Sequence, residues 1–231
     1  MPLVRVEYEK KGRVAYISHL DLIRVIQRAV RRAGIPVEYT KGFNPHAKIS
    51  FGPALALGTE SCGEMMDVQL EKEMEVKNFI ERMNASFPDG IRVTKAEYIP
   101  DGSASLTALI NAAEYTVQAE YRQGGSGQEG RVSDFFNRRE IYIEKTSKKG
   151  KKRLIDIVPM ILEQKNIEVG GRRLSLDLIL ETGNERNLKP ADLLFSLRAY
   201  TGLELENVRI QRQSLLIKRG EKYFTPFQVF K

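Results

Sequence analysis

The sequence is poor in the residues that build metal centres and disulfides. Cys62 is the single cysteine among the 231 residues, and His19 and His46 are the two histidines. One thiol excludes an internal disulfide framework, a multi-cysteine zinc site and an iron–sulfur cluster held by this chain alone. Two histidines leave little material for a histidine-based metal centre. We therefore expect neither a metal nor another cofactor.

Long apolar runs are missing as well. No stretch approaches the roughly 18 apolar residues that a membrane-spanning helix requires. The N-terminal MPLVRVEYEKKGRV alternates and carries charges early, which is typical of a strand and not of a signal peptide. With 42% hydrophobic and 29% charged residues, the composition indicates a globular protein. We expect a cytoplasmic protein that does not bind membranes.

Positive charge is concentrated in two blocks. The chain carries a net charge of +7. Residues 1–50 hold 10 Lys and Arg against 4 Asp and Glu, a net charge of +6, and residues 122–153 again hold 10 against 4. The intervening residues 51–121 hold 5 against 12, a net charge of −7. Two basic blocks favour a polyanionic partner, most simply a nucleic acid, although chance clustering on a solvated surface would give the same pattern.

The order of predicted elements indicates an α+β fold built from tandem ferredoxin-like (βαββαβ) domains with antiparallel sheets. Residues 1–100 form the first predicted domain, residues 101–113 a linker, and residues 114–231 the second domain. Within the first domain, the pattern predicts strands at 3–9, 36–40, 63–70 and 91–98, an extended piece at 13–18, and helices at 19–33 and 75–86. The second half predicts strands at 114–121, 140–146, 153–158, 173–181 and 206–218, and helices at 131–138 and 190–200.

Two segments carry a resemblance to a known family. ISHLDLIRVIQRAVRRAG (17–34) and VEYTKGFNPHAKISFGPALALGTES (37–61) resemble the N-terminal signature of the bacterial radical SAM-associated proteins, a family of uncharacterised function. The resemblance implies a radical SAM enzyme as partner, with chemistry on RNA. Because this chain has one cysteine, the partner would have to supply the cluster. The tandem domain order is also similar to that of the RAMP-type RNA-binding proteins of CRISPR systems.

The loop 41–53 (KGFNPHAKISFGP) is the strongest local signal for RNA contact. Lysines neutralise phosphate, a phenylalanine offers a stacking face, and amide or imidazole groups hydrogen-bond to bases. The loop's candidates for these contacts are Lys41, Phe43, Asn44, His46 and Lys48. A packed turn with Phe43 in the core is the alternative interpretation.

Two further basic segments are candidate phosphate contacts. On helix 19–33, arginines lie opposite the apolar face, and the segment 138–153 places lysines at a predicted hairpin tip near Gly150. Solvated faces are the alternative interpretation for both. The candidate RNA-binding residues here are Arg24, Arg28, Arg31, Arg32, Lys148, Lys149, Lys151, Lys152 and Arg153.

Three functions remain open from the sequence. The preferred one is a non-catalytic accessory protein that binds the RNA substrate of a radical SAM enzyme. The second is a metal-independent endoribonuclease in which His19 and His46 act as acid and base. The third is a protein-only adaptor for the radical SAM partner. No oligomeric state is specified by the sequence.

Overall fold

A computed structural model gives the fold of residues 1–122, 127–146, 150 and 152–231. The architecture is mixed α+β with mostly antiparallel sheet. The helices are α1 (His19–Arg32), α2 (Val76–Ser86), α3 (Leu106–Leu109), α4 (Gln128–Phe136) and α5 (Pro190–Thr201). The strands are β1 (Leu3–Lys10), β2 (Ile49–Phe51), β3 (Glu60–Gln69), β4 (Ile91–Ile99), β5 (Ala112–Tyr121), β6 (Tyr142–Thr146), β7 (Lys152–Asp156), β8 (Ile161–Gly170), β9 (Arg173–Glu181), β10 (Leu205–Arg219) and β11 (Lys222–Phe224).

The chain divides into two compact units. Unit 1 comprises Met1–Asn111 together with Arg212–Lys231, and unit 2 comprises Ala112–Gln211. This division differs from the domains expected from the sequence, because residues 212–231 belong with the N-terminal unit. The predicted linker, residues 101–113, also falls almost wholly within unit 1.

The sheet of unit 1 has antiparallel strands in the order β4-β1-β3. Alternate residues of β1 point to one face, so Val4, Val6 and Tyr8 are all buried there. Helices α1 and α2 cover this face, and Ile26 and Phe79 lie in the same apolar core. The predicted helices 19–33 and 75–86 and the predicted strands 3–9, 63–70 and 91–98 are thus present with small shifts at their ends.

Two predictions in this unit are wrong. The extended piece expected at 13–18 is largely a 3₁₀ turn, Gly12–Tyr16. The Lys10 ammonium donates hydrogen bonds to the carbonyls of Ala15 and Ile17, which draws the turn over the end of β1. The strand expected at 36–40 is reduced to isolated bridges, Val37 to Leu70 and Tyr39 to Ala47, because a loop interrupts the pairing.

Gly63 lets two strands of unit 1 approach closely. A Cβ atom at this position would lie 2.8 Å from the Gln213 carbonyl oxygen and 3.2 Å from the Cα of Ser214. Both distances are shorter than ordinary van der Waals contact, so a side chain here would push β3 away from residues 212–219 of β10. Glycine is therefore required by the close backbone approach and not by a turn.

Unit 2 contains antiparallel strands in the order β5-β9-β8, with helices α4 and α5 packed together. The sequence did not predict β8, because it is an end strand whose central residues, 163–166, are all polar and exposed. The predicted basic hairpin is formed by β6 and β7, and Gly150 has a φ of +76°. Among the described residues, no helix is long and apolar enough to cross a membrane.

Candidate nucleic-acid interface

The loop between Tyr39 and Ala47 holds its candidate residues in solvent. The Thr40 amide donates to the His46 carbonyl (2.9 Å), and the His46 amide donates to Thr40 Oγ1 (3.0 Å). These bonds close the base of the loop. Phe43 at its tip is fully exposed, at 107% of a reference side chain. The alternative in which Phe43 packs into the core is therefore wrong.

The other loop residues differ in their availability. Lys41, Asn44 and His46 are exposed. Lys48 is half-buried and pairs with Glu38, so one cation of the loop already has a carboxylate partner. The loop thus offers one lysine, one imidazole, one amide and one phenyl ring to a ligand.

The arginine face of α1 is exposed as the periodicity predicts. The opposite face buries Leu22, Ile26, Ala29 and Val30. Of the arginines, Arg24 pairs with Asp21 (2.9 Å), and Arg32 donates to the Ser86 carbonyl (2.7 Å) at the end of α2. Among the described residues, Arg28 and Arg31 form no ion pair, so they are the two cations of this face most available to phosphate.

The basic hairpin of unit 2 is described only in part. Lys152 and Arg153 are exposed, and Lys152 pairs with Glu144 (2.9 Å). Lys148, Lys149 and Lys151 lie outside the described residues. Because the hairpin belongs to unit 2 and the loop and arginine face belong to unit 1, one common surface for all three stays a prediction.

His19, the first residue of α1, is half-buried and feels the charges of Lys10, Glu64 and Arg212. Its ring meets that of Phe51 edge to face, with centroids 5.8 Å apart. Burial lowers the pKa of His19, the Glu64 carboxylate opposes this shift, and the Lys10 and Arg212 cations reinforce it. The half-buried imidazole is thus biased toward its neutral form. A catalytic pairing of His19 with the exposed His46 stays a prediction.

A buried charged cluster comprises Tyr8, Lys10, Glu64 and Arg212, and sequence patterns did not reveal it. Arg212 is 1% exposed, and its Nε and one terminal nitrogen donate to both Glu64 oxygens at 2.7 Å. Tyr8 lies directly opposite Glu64 across the β1–β3 pair. Burial raises the pKa of Tyr8 and lowers the pKa of Lys10. The only sequence signal is that Lys10 continues the buried alternation of Val4, Val6 and Tyr8.

A second buried ion pair lies on the other face of the same sheet. Arg5 and Asp67 are direct cross-strand partners, joined by two hydrogen bonds of 2.8 and 2.9 Å. Arg5 also donates to the carbonyl of Pro226 at 2.6 Å. These side chains hold the C-terminal segment of unit 1 to the sheet, which is a structural role. Among the described residues, no cluster of His, Cys, Asp and Glu is arranged to hold a metal ion.

Residues 4–190 match a protein family described as "Uncharacterized protein conserved in bacteria (DUF2344)". The chain belongs to this family. The DUF2344 match covers α1, the loop 41–53 and both basic blocks. No curated protein sequence matches this chain.

Two solved structures match this chain over most of its length. One chain of the "Crystal Structure of a Cbf5-Nop10-Gar1 Complex" has a TM-score of 0.50 and 10% identity, over 92% of this chain and 48% of that one. This DUF2344 protein therefore spans about half the length of that neighbour. The "Crystal Structure of an Unknown Protein from Galdieria sulphuraria" has a TM-score of 0.28 and 11% identity, over 91% and 98%. At these identities the first likeness concerns the fold alone.

Proposed function

We propose that this protein binds RNA and acts as a non-catalytic accessory protein of a radical SAM enzyme. The observation that carries the RNA proposal is the complete exposure of Phe43 between Lys41 and His46. A phenyl ring in water forgoes the free energy of burial, roughly 1.5–3 kcal/mol for a large apolar side chain. A stacked base would recover part of that free energy, and the adjacent cation would neutralise the phosphate.

The arginine face of α1 supports the same proposal. Arg28 and Arg31 are exposed and form no ion pair among the described residues, so a phosphate would meet them without displacing a carboxylate. Phosphate contacts of this kind contribute affinity without sequence preference. The loop 41–53 would then supply what selectivity there is.

We also propose that the fold consists of tandem ferredoxin-like domains. Unit 1 has the order β4-β1-β3 with α1 and α2 in one apolar core, which supports it for that unit. The comparison with RAMP-type proteins is an analogy of fold, and folds host many functions. The RNA proposal therefore depends on the side chains and not on the fold.

The proposed radical SAM partner follows from the resemblance of residues 17–34 and 37–61. A radical SAM cluster needs several cysteine ligands, and this chain supplies Cys62 alone. Supporting evidence would be co-purification of a radical SAM enzyme with this protein after nuclease treatment. Co-purification without any affinity for RNA would instead favour the protein-only adaptor.

RNA binding is tested with a fluorescently labelled single-stranded RNA and fluorescence anisotropy. Phe43→Ala should weaken binding about 5- to 160-fold, because one stacked base contributes about 1–3 kcal/mol. Tyr16→Ala is the matched control, since Tyr16 is another exposed aromatic residue of unit 1. Absence of binding to RNA at low salt would overturn the proposal.

The salt dependence tests the arginine face separately. On single strands, each phosphate contact contributes about −0.7 to the slope of log K against log salt concentration. Arg28→Gln combined with Arg31→Gln should flatten the slope by about 1.4 if both residues contact phosphate. Glu81→Gln, an exposed charge change on α2, is the control.

The endoribonuclease alternative requires one further assay. His46 is exposed beside Phe43, so a bound strand would pass close to its imidazole. Incubation of the wild type and of His46→Ala with RNA in EDTA separates the two proposals. Equal inertness favours the accessory protein, whereas cleavage that His46→Ala abolishes favours the nuclease.

A further inference from the structure

Unit 2 contains a cleft that the proposed RNA loop does not involve. It lies between α5 and β6, with the end of α4 as its floor, and has a volume of about 580 Å³. This volume falls within the range of small-molecule sites, about 300–1,000 Å³. Its lining combines aromatic rings with two cations, Arg138 and Lys145.

Three aromatic side chains of the cleft remain exposed to water. Phe195 is 74% exposed, Tyr142 56% and Tyr200 44%. The core of this region is already supplied by Phe135 and Phe136, which are 1% and 7% exposed. Tyr200 is held against Phe135, with ring centroids 5.8 Å apart. Phe195 and Tyr142 are thus each more than half exposed, whereas Tyr200 is partly packed against the core.

The acidic groups of the cleft are already neutralised. Asp192 pairs with Lys145 at 3.4 Å, and Glu144 pairs with Lys152 at 2.9 Å. The positive charge that remains belongs to the arginines at the other end. The Arg138 guanidinium lies 4.9 Å from the centre of the Tyr200 ring.

A smaller recess of about 280 Å³ adjoins this end of the cleft. It is lined by Arg138, Arg139, Glu140 and Tyr142. The Glu140 carboxylate accepts the hydrogen bond of the Tyr142 hydroxyl and raises the pKa of that phenol. Among the described residues, neither Arg138 nor Arg139 forms an ion pair. The aromatic rings of the cleft thus lie near the guanidinium groups of Arg138 and Arg139, neither of which forms an ion pair among the described residues.

We propose that this cleft binds a nucleotide unit, with the base stacked on Phe195 or Tyr142 and the phosphate on Arg138 and Arg139. Planar rings beside guanidinium groups match a nucleotide, because a base presents a π-face and a phosphate accepts paired N–H donors. An apolar peptide would match the rings but would offer no anion to the two guanidinium groups. The nucleotide is either a free mononucleotide or one unpaired residue of an RNA strand. The second case rests on the proposed RNA function.

The test uses the full chain and two probes, AMP and a single-stranded oligoadenylate, with binding measured by isothermal titration calorimetry. Phe195→Ala should weaken binding about fivefold or more, as expected for one lost stacking contact. Arg138→Gln should also weaken binding, because the phosphate would lose one of its two guanidinium contacts. Because Phe195 is exposed and alanine favours a helix, the fold should persist, as circular dichroism would verify. The matched control for both probes is Tyr16→Ala, an exposed aromatic residue of unit 1, and Phe43→Ala is measured beside it.

The pattern of results separates this proposal from the RNA function. AMP binding that Phe195→Ala weakens and Phe43→Ala does not supports the cleft, with a free mononucleotide as ligand. Oligonucleotide binding that each variant weakens, without affinity for AMP, supports the cleft with RNA as ligand. If only Phe43→Ala weakens the oligonucleotide, the cleft proposal is overturned and the RNA function stands. If neither probe binds, both are overturned.

Discussion

The two units differ in whether they bury charged side chains. Among the described residues, the buried charged side chains are Arg5, Lys10, Glu64, Asp67 and Arg212, and all five belong to unit 1. In unit 2, the buried polar residues are Thr182 and Thr201, while cations and aromatic rings line an exposed cleft. Unit 1 therefore buries ion pairs between its strands, whereas unit 2 has an apolar core in which none of its described charged side chains is buried.

The largest expected effect is the removal of one member of a buried ion pair. Glu64→Gln should lower the free energy of unfolding by about 3–5 kcal/mol, because Arg212 would remain buried without a counter-charge. Urea unfolding followed by circular dichroism measures this loss. Glu97→Gln is the control, since its exposed pair with Lys95 should contribute less than about 1 kcal/mol. Equal effects of the two variants would contradict the comparison.

In unit 2, we expect the largest loss from an aliphatic residue. Leu197 on α5 is fully buried, so Leu197→Ala should cost about 2–5 kcal/mol through lost burial and the cavity left behind. Hydrogen exchange of the backbone amides of α5 and β9 would detect the loss. A loss smaller than that caused by Leu154→Ala, which removes an exposed leucine of β7, would contradict the placement of Leu197 in the apolar core.

His19 should make a smaller, pH-dependent contribution. Its folded pKa lies below the ordinary value of 6.5, so the folded state resists protonation more than the unfolded state does. Stability from this group is present above pH 6.5 and is lost as the pH falls through the lowered folded pKa. Melting temperatures between pH 8 and pH 5 should therefore fall less steeply in His19→Gln than in the wild type. A profile flattened by His46→Gln instead would contradict this assignment.

The smallest effect should come from the exposed ring of unit 2. Phe195→Ala should change stability by no more than about 0.5 kcal/mol, because the side chain is 74% exposed. Thermal unfolding measures this change. A large loss of stability would mean that the Phe195 ring has a structural role and is not surface available to a ligand.

Helical and strand periodicity predicted much of the fold. Helix α1 was predictable because its apolar residues recur on one face and Ser18 accepts a hydrogen bond from the Asp21 amide at its start. Strand β8 was not, because exposed polar residues without alternation look like a loop. Residues 212–231 join unit 1 through contacts such as the ion pair of Arg212 with Glu64, and no local pattern encodes a partner so distant in the sequence.

The candidate site was predictable to a similar degree. Turn-forming residues around Phe43 predicted a loop but left open whether its ring is exposed or packed, and the structure places the ring in solvent. The cleft in unit 2 was missed because its rings come from α5 and β6, which are separated along the chain and meet only in the folded unit. Individually, Phe195 and Tyr142 look like ordinary core residues in the sequence.

The ion pair between Glu64 and Arg212 has a consequence for the nascent chain. Its two residues are 148 positions apart, and Arg5 and the Pro226 carbonyl that it contacts are 221 positions apart. When synthesis has reached only the end of the first segment of unit 1, Glu64 still lacks Arg212, and Arg5 still lacks the Pro226 carbonyl. Unit 1 must stay partly assembled while all of unit 2 is synthesised. The part of unit 1 that precedes unit 2 in the chain is thus made before unit 2 and completed only after it.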